Sequence, residues 1–156
     1  MQTPTITVIK KVAFSAAHFF WLPQLSDAEN RAHFGPTSNR NGHGHNYTLS
    51  VAVSGPCNPE TGMVINLKDL KTILHDTVVT PLNFNSLNHD VPFFKHHLPT
   101  LELLALWVWV RVAPPVEAAG LTLNEIHLAE SDDLWVTYDG ANLEALCVQF
   151  DLPKAV

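Results

Sequence analysis

From Thr5 to Ala17 the chain reads Thr-Ile-Thr-Val-Ile-Lys-Lys-Val-Ala-Phe-Ser-Ala-Ala, with β-branched and aromatic residues set among polar ones. That pattern predicts a strand. A second such run, His43 to Ser54, closes on Gly55-Pro56 and predicts another. Between them, Phe19 to Gly42 is rich in Asn, Asp, Pro, Gly and Ser and reads as a long loop, of the kind that carries function in a compact domain. Thr61-Gly62 marks a turn, and Met63-Val64-Ile65 a short extended piece. Asn66 is a natural N-cap for a helix whose apolar positions are Leu67, Leu70, Ile73, Leu74 and Val78, with Pro81 expected to stop it. A second helix is predicted from Thr100, with Leu103, Leu104, Leu106, Trp107 and Val110 apolar and Pro114-Pro115 ending it. Leu121–Glu130 and Leu134–Tyr138 are predicted strands, the last closed by Asp139-Gly140, and Asn142–Phe150 a short helix. No repeat or low-complexity linker interrupts residues 1–156, so a single α+β domain is expected: an antiparallel four-stranded sheet with two helices on one face.

Composition narrows the partners. Hydrophobic residues make up 46% of the 156 and charged ones only 15%, a lean charge content for a monomer's surface that points to surface covered by sister subunits. The net charge is −6, with no basic stripe or tail, so nucleic acid is not an expected partner. The most apolar stretch, Leu101 to Val110, holds Glu102 and is too short for a membrane span. Without a signal peptide, and with Cys57 and Cys147 forming no framework or C-x-x-C pair, a cytoplasmic location is expected.

The chemistry concentrates at His43-Gly44-His45. Residues i and i+2 of a strand share a face, so both imidazoles point the same way. A His-x-His pair alone reads equally well as two polar residues on an exposed strand face. If the first strand pairs with the second, however, His18 at its end converges on the same point. Three neutral imidazoles with no thiolate suit a tetrahedral Zn2+ with its fourth position open, the catalytic layout. A cupin-like reading is poor, because Asn46, Tyr47, Thr48 and Leu49 follow where a Glu would be wanted.

Several segments together carry a resemblance: Phe14-Ser15-Ala16-Ala17-His18, Leu25-Ser26-Asp27-Ala28-Glu29-Asn30, Phe34-Gly35 and Asn41-Gly42-His43-Gly44-His45-Asn46-Tyr47 in the first third of the chain, then Thr61-Gly62-Met63-Val64-Ile65-Asn66-Leu67, Leu87-Asn88-His89-Asp90-Val91-Pro92-Phe93-Phe94 and Ala129-Glu130-Ser131. In this order and spacing the chain resembles the 6-pyruvoyl-tetrahydropterin synthase and 6-carboxytetrahydropterin synthase family, and in wording looks nearer the pyruvoyl enzymes. The resemblance implies the T-fold, whose subunits assemble into an oligomeric β-barrel, a homohexamer or other trimer-based homo-oligomer. It also implies a pterin substrate in tetrahydrobiopterin or queuosine-type biosynthesis. By the same carry-over His18, His43 and His45 match the zinc ligands and Glu130 the carboxylate that anchors the pterin ring, a group able to accept two parallel N–H bonds. Glu102 matches a second acidic position near the pterin end, although a first-turn helix Glu also has a dipole explanation.

The same register exposes departures. The family's proton-moving Cys falls on Thr37, and its Asp-His pair on Asn83 and Phe84. None of the three side chains titrates near neutrality, so general acid–base catalysis is not supported at these positions. His33 is a weak substitute, with Ser38, Asp132 and Asp133 behind it. His75, His89, His96, His97 and His127 read as surface or structural groups. After His18 the family's basic residue is replaced by Phe19-Phe20-Trp21, which would pack at a subunit contact or narrow the pocket. Arg31 and Arg40, with Lys68 or Lys71, are the cations left for a phosphorylated substrate, though they read more simply as solvated charges. Two functions follow. One is a zinc-dependent lyase or isomerase acting on a dihydroneopterin-type side chain with altered or reduced activity. The other is a catalytically inactive pterin-binding oligomer.

Overall fold

The structure is a computed structural model that describes residues 4–153. Strands β1 (Thr5–His18), β2 (His43–Pro56), β3 (Asn85–Ser86), β4 (Thr122–Ser131) and β5 (Leu134–Tyr138) form one sheet in the order β3-β1-β2-β4-β5. The helices are α1 (Asp27–Phe34), α2 (Leu67–Leu74), α3 (Thr80–Leu82), α4 (Leu87–Asp90), α5 (Leu101–Ala118) and α6 (Leu143–Gln149). The α+β expectation holds, but the sheet has five strands and is mixed. The two-residue β3 runs parallel to β1 through Ala16–Asn85 and Ala17–Ser86, too short a pairing to leave a periodic signal. The sheet does not close on itself within one chain.

The β1–β2 pairing is antiparallel over fourteen residues, from Thr5 opposite Pro56 to His18 opposite His43. One face of β2, Tyr47, Leu49, Val51 and Val53, is buried under the helices, while Thr48, Ser50, Ala52 and Ser54 on the other face are only half-buried. The core joins that face to Leu70, Leu74 and Val78 and to α5.

Four sequence expectations need correction. The long loop contains α1, started by a capping box: Ser26 Oγ accepts the Glu29 N–H and the Glu29 carboxylate accepts the Ser26 N–H at 2.7 Å. Ser-x-x-Glu was a legible signal for this helix. Pro81 does not stop the helix capped by Asn66. The chain widens into a π-turn over His75–Val79, and Pro81 lies in α3 beyond it. Pro114 and Pro115 lie inside α5, which runs on to Ala118. Each proline removes one intrahelical donor, but α5 is buried nearly all round, from Leu104 through Val110 and again at Val112, Ala113 and Val116. Burying that much apolar surface outweighs two lost hydrogen bonds. Met63–Ile65 forms no strand; Asn58 gathers this turn, its N–H bonding the Met63 carbonyl and its side chain accepting the Glu60 and Thr61 N–H groups. Among the described residues no helix is long and apolar enough to cross a membrane.

Candidate metal centre

The β1–β2 register builds the site. His18 and His43 are direct cross-strand partners, and His45 stands opposite Ala16, two residues along on the same face. That face is the core face, continuous with Tyr47, so the pair is not exposed polar decoration. The three imidazoles each offer a nitrogen, all within 4.8 Å of one another, and form the one such group of metal-ligating side chains among the described residues. His18 Nε2 and His45 Nε2 are 3.1 Å apart. Two nitrogens held at about 2.0–2.1 Å by a tetrahedral zinc stand roughly 3.3 Å apart, so donor type and spacing both fit that ion.

His18 is 1% exposed. Its Nδ1 lies 3.0 Å from the Pro99 carbonyl, which can only accept, so Nδ1 carries the proton and the Nε2 lone pair faces the cluster. The Tyr47 hydroxyl is 3.4 Å from the same Nδ1. Burial pulls the His18 pKa from 6.5 down to about 4; the Pro99 hydrogen bond opposes this, and His43 and His45 add to the fall. His43 is lowered as well, by burial first and His45 second, with Glu130 acting the other way. Burial and the Glu130 carboxylate push the Tyr47 hydroxyl up. Burial therefore favours the neutral form of His18 and His43, the state in which imidazole binds a metal.

Glu130 joins this site. It continues the core face of β4 set by Ile126 and Leu128, at the point where the β4–β5 register shifts between Ala129 and Ser131. Oε1 is 3.2 Å from His45 Nε2. Glu102 is exposed in the first turn of α5 and lines another pocket, with Thr100, Leu103, Tyr138 and Phe150. His18, His43 and His45 are not among the residues lining that pocket.

The three departing positions are engaged in the fold. Thr37 Oγ1 donates to the Phe34 carbonyl at 2.7 Å. Asn83 Oδ1 accepts the Ser15 N–H at 2.9 Å. Phe84 is 86% exposed with φ +61°. His33 is exposed on α1, its ring edge-on to Phe34, outside the imidazole cluster. The aromatic run packs within the chain: Phe19 against His89, Phe20 5.1 Å from the His18 ring, and Trp21 beneath the Arg40 guanidinium. Arg31 and Arg40 line one pocket beside Trp21, whereas Lys68 and Lys71 lie on α2. Cys57 and Cys147 are both free thiols.

Three supports were not read from the sequence: Tyr47, the Pro99 carbonyl and Asn88. Asn88 Oδ1 accepts the Phe19 N–H at 2.9 Å and Nδ2 donates to the Phe19 carbonyl at 3.0 Å, so it clamps the residue after His18. Tyr47 follows His45 at strand spacing and was legible. The other two are long-range contacts, across 81 and 69 residues, and leave no local pattern.

Comparison with known proteins agrees with this geometry. Residues 7–141 match the family model described as 6-pyruvoyl tetrahydropterin synthase. The chain is 39% identical over 133 residues to the 6-pyruvoyl tetrahydrobiopterin synthase of Pongo abelii, covering 85% of this chain and 90% of that protein. It is 36% identical to the Drosophila melanogaster protein of the same name over 89% of this chain and 82% of the other. The solved structure of Caenorhabditis elegans 6-pyruvoyl tetrahydropterin synthase superposes with a TM-score of 0.80 at 33% identity, covering 90% of this chain and 99% of that one. With a matched model over most of its length, and a fold and histidine cluster in keeping with it, the chain belongs to the 6-pyruvoyl tetrahydropterin synthase family.

Proposed function

We propose that this protein is a zinc-dependent pterin enzyme acting on the side chain of a dihydroneopterin-type substrate, with activity reduced or altered relative to its relatives. The observation that carries this is the convergence of His18, His43 and His45 on one point of the core face. Bound there, zinc would supply Lewis-acid polarisation of a substrate hydroxyl or carbonyl. The chain's own part is positional. The Pro99 carbonyl fixes the His18 tautomer, and Glu130 offers a carboxylate beside His45 to receive the N–H groups of a 2-amino-4-oxo ring. Glu102 is assigned a secondary role at the pterin end.

Reduced activity is supported by Thr37, Asn83 and Phe84. Thr37 already gives its proton to Phe34, Asn83 Oδ1 is occupied by Ser15, and a phenyl ring moves no proton. General acid–base catalysis is typically worth about a hundred- to ten-thousand-fold, so a loss on that scale is expected for the pyruvoyl-forming reaction. These residues equally favour the second reading, an inactive pterin-binding oligomer.

Self-association is part of the proposal. Among the described residues the sheet ends in two edges without a further strand, β5 and the long part of β1 beyond the short β3 pairing. Ile9 on β1 is 68% exposed and Trp135 on β5 51%. Bare edges with exposed apolar residues favour strand pairing with further copies, here into a trimer-based homo-oligomer such as a homohexamer, located in the cytoplasm.

The test is a product assay by mass spectrometry on zinc-loaded protein offered dihydroneopterin triphosphate, dihydroneopterin and sepiapterin. A new side-chain product, absent with His43→Ala, is the expected result. Unchanged pterins, with ring binding retained in the wild type and lost in Glu130→Ala, would replace the enzyme reading with the binding one.

A further inference from the structure

Cations are scarce in this chain, nine Lys and Arg against fifteen Asp and Glu. Two of the nine, Arg40 and Lys95, nevertheless line one pocket of about 710 Å³ together with His89, His96 and His97, and no Asp or Glu stands on its wall. Among the described residues neither cation forms an ion pair. Like charges gathered without a counter-charge repel one another, and a cleft lined by one sign of charge focuses its field on a ligand of the other sign. In a chain of net charge −6 this pocket is therefore the place where an anion gains most.

The fold anchors both sources of charge. Arg40 lies in the turn before β2, its guanidinium over the Trp21 ring at 5.1 Å. Stacking holds the planar fork by its face and leaves its N–H edge for hydrogen bonds. Lys95, His96 and His97 come from the segment after α4. His97 is stacked on Phe93 at 4.2 Å, and its Nδ1 lies 3.0 Å from the Phe93 carbonyl, so Nδ1 donates there. The two hydrogen bonds from Asn88 to the Phe19 backbone tie this segment to the stretch of chain that carries Trp21. A pocket held in place before its ligand arrives loses less on binding. A single carboxylate would leave most of these donors unused. An oligophosphate carries several charges and many acceptor oxygens on a short chain, which suits a guanidinium fork, an ammonium and imidazole N–H groups together. We propose that this pocket binds the phosphoryl groups of a small oligophosphate-bearing ligand, with Arg40 and Lys95 as its main contacts. None of its residues belongs to the histidine cluster, and the site stands independently of the pterin reading.

The test is calorimetric titration with inorganic tripolyphosphate. The wild type should bind it, less tightly as salt is raised, and should bind it equally after bound metal is removed by chelation and dialysis. Arg40→Gln and Lys95→Gln should each bind about tenfold more weakly, the scale of one hydrogen bond to a charged group. Both side chains are exposed, so melting temperatures should match the wild type. Lys71→Gln removes a charge from α2, outside the pocket, and should bind as the wild type does. No binding by the wild type would overturn the site. So would an equal loss in Lys71→Gln, which reduces the effect to net charge, and so would binding that vanishes with the metal. A second titration, with dihydroneopterin triphosphate and dihydroneopterin, identifies the source of the phosphate. If Arg40→Gln weakens only the triphosphate, the pocket takes the tail of the substrate. If tripolyphosphate binds without displacing dihydroneopterin triphosphate, the pocket takes a separate ligand. Either result supports the pocket itself.

Discussion

The replacement Asn88→Ala separates holding a ligand from merely holding the fold. Asn88 makes two hydrogen bonds to the backbone of Phe19, at 2.9 and 3.0 Å, and Phe19 is itself buried. Each bond is worth a net of about 1 kcal/mol, and leaving the Phe19 N–H and carbonyl unpaired adds to the loss, for about 2–3 kcal/mol in all. The same cut frees the end of β1 immediately after His18, whose nitrogen must stay within a few tenths of an ångström of its place. Outer supports of metal ligands typically cost about 10–100-fold in affinity, and the lower end is expected for a support acting through the backbone. The control is Asn30→Ala. Asn30 is fully buried and bonds Leu22 through both its groups, and Leu25 and Ser26 as well, all within its own loop. Urea unfolding should show a loss at least as large for Asn30→Ala, while chelator competition should show zinc affinity reduced about tenfold only for Asn88→Ala. Equal losses of zinc affinity in the two variants, or wild-type affinity in Asn88→Ala, would refute the positioning argument.

Other outcomes follow from the same geometry. In metal-free protein the folded-state pKa of His18, about 4, lies below its ordinary 6.5. The stability tied to its neutral form is therefore complete above pH 6.5 and is lost as pH falls toward 4, by about 3 kcal/mol in total; His43 acts in the same direction. Urea titrations from pH 8 to 4 that showed no such slope would contradict the buried neutral state. Gly140→Ala should destabilise by about 2–4 kcal/mol, because φ is +84° there and a Cβ would come within 2.5 Å of the Trp109 ring; a melting temperature equal to wild type would show that the Trp109 ring yields freely. Thr37→Cys, Asn83→Asp and Phe84→His made together should raise turnover of dihydroneopterin triphosphate more than any one alone, since such residues act as a unit. A flat response would mean that the pocket has been reshaped as well.

Two kinds of information separate cleanly in this chain. Local order was written in the sequence: the alternation of β1 and β2, the Asn66 cap, the spacing of β4 and β5, and two histidines that had to share a face because the strand period is two. Once β1 and β2 pair, His18 has few places to be, so the histidine cluster was legible in the sequence. Where propensity and burial disagreed, the sequence misled. Two prolines predicted an end to α5, yet apolar burial carried the helix through them. The tertiary structure alone decided which carbonyl fixes the His18 proton, which asparagine clamps Phe19, and that Glu130 comes within 3.2 Å of His45. Those contacts join residues far apart in the chain and depend on the packing of α5 and the 83–88 segment against the end of β1. No local periodicity encodes such a meeting, because its geometry exists only after the whole core has assembled.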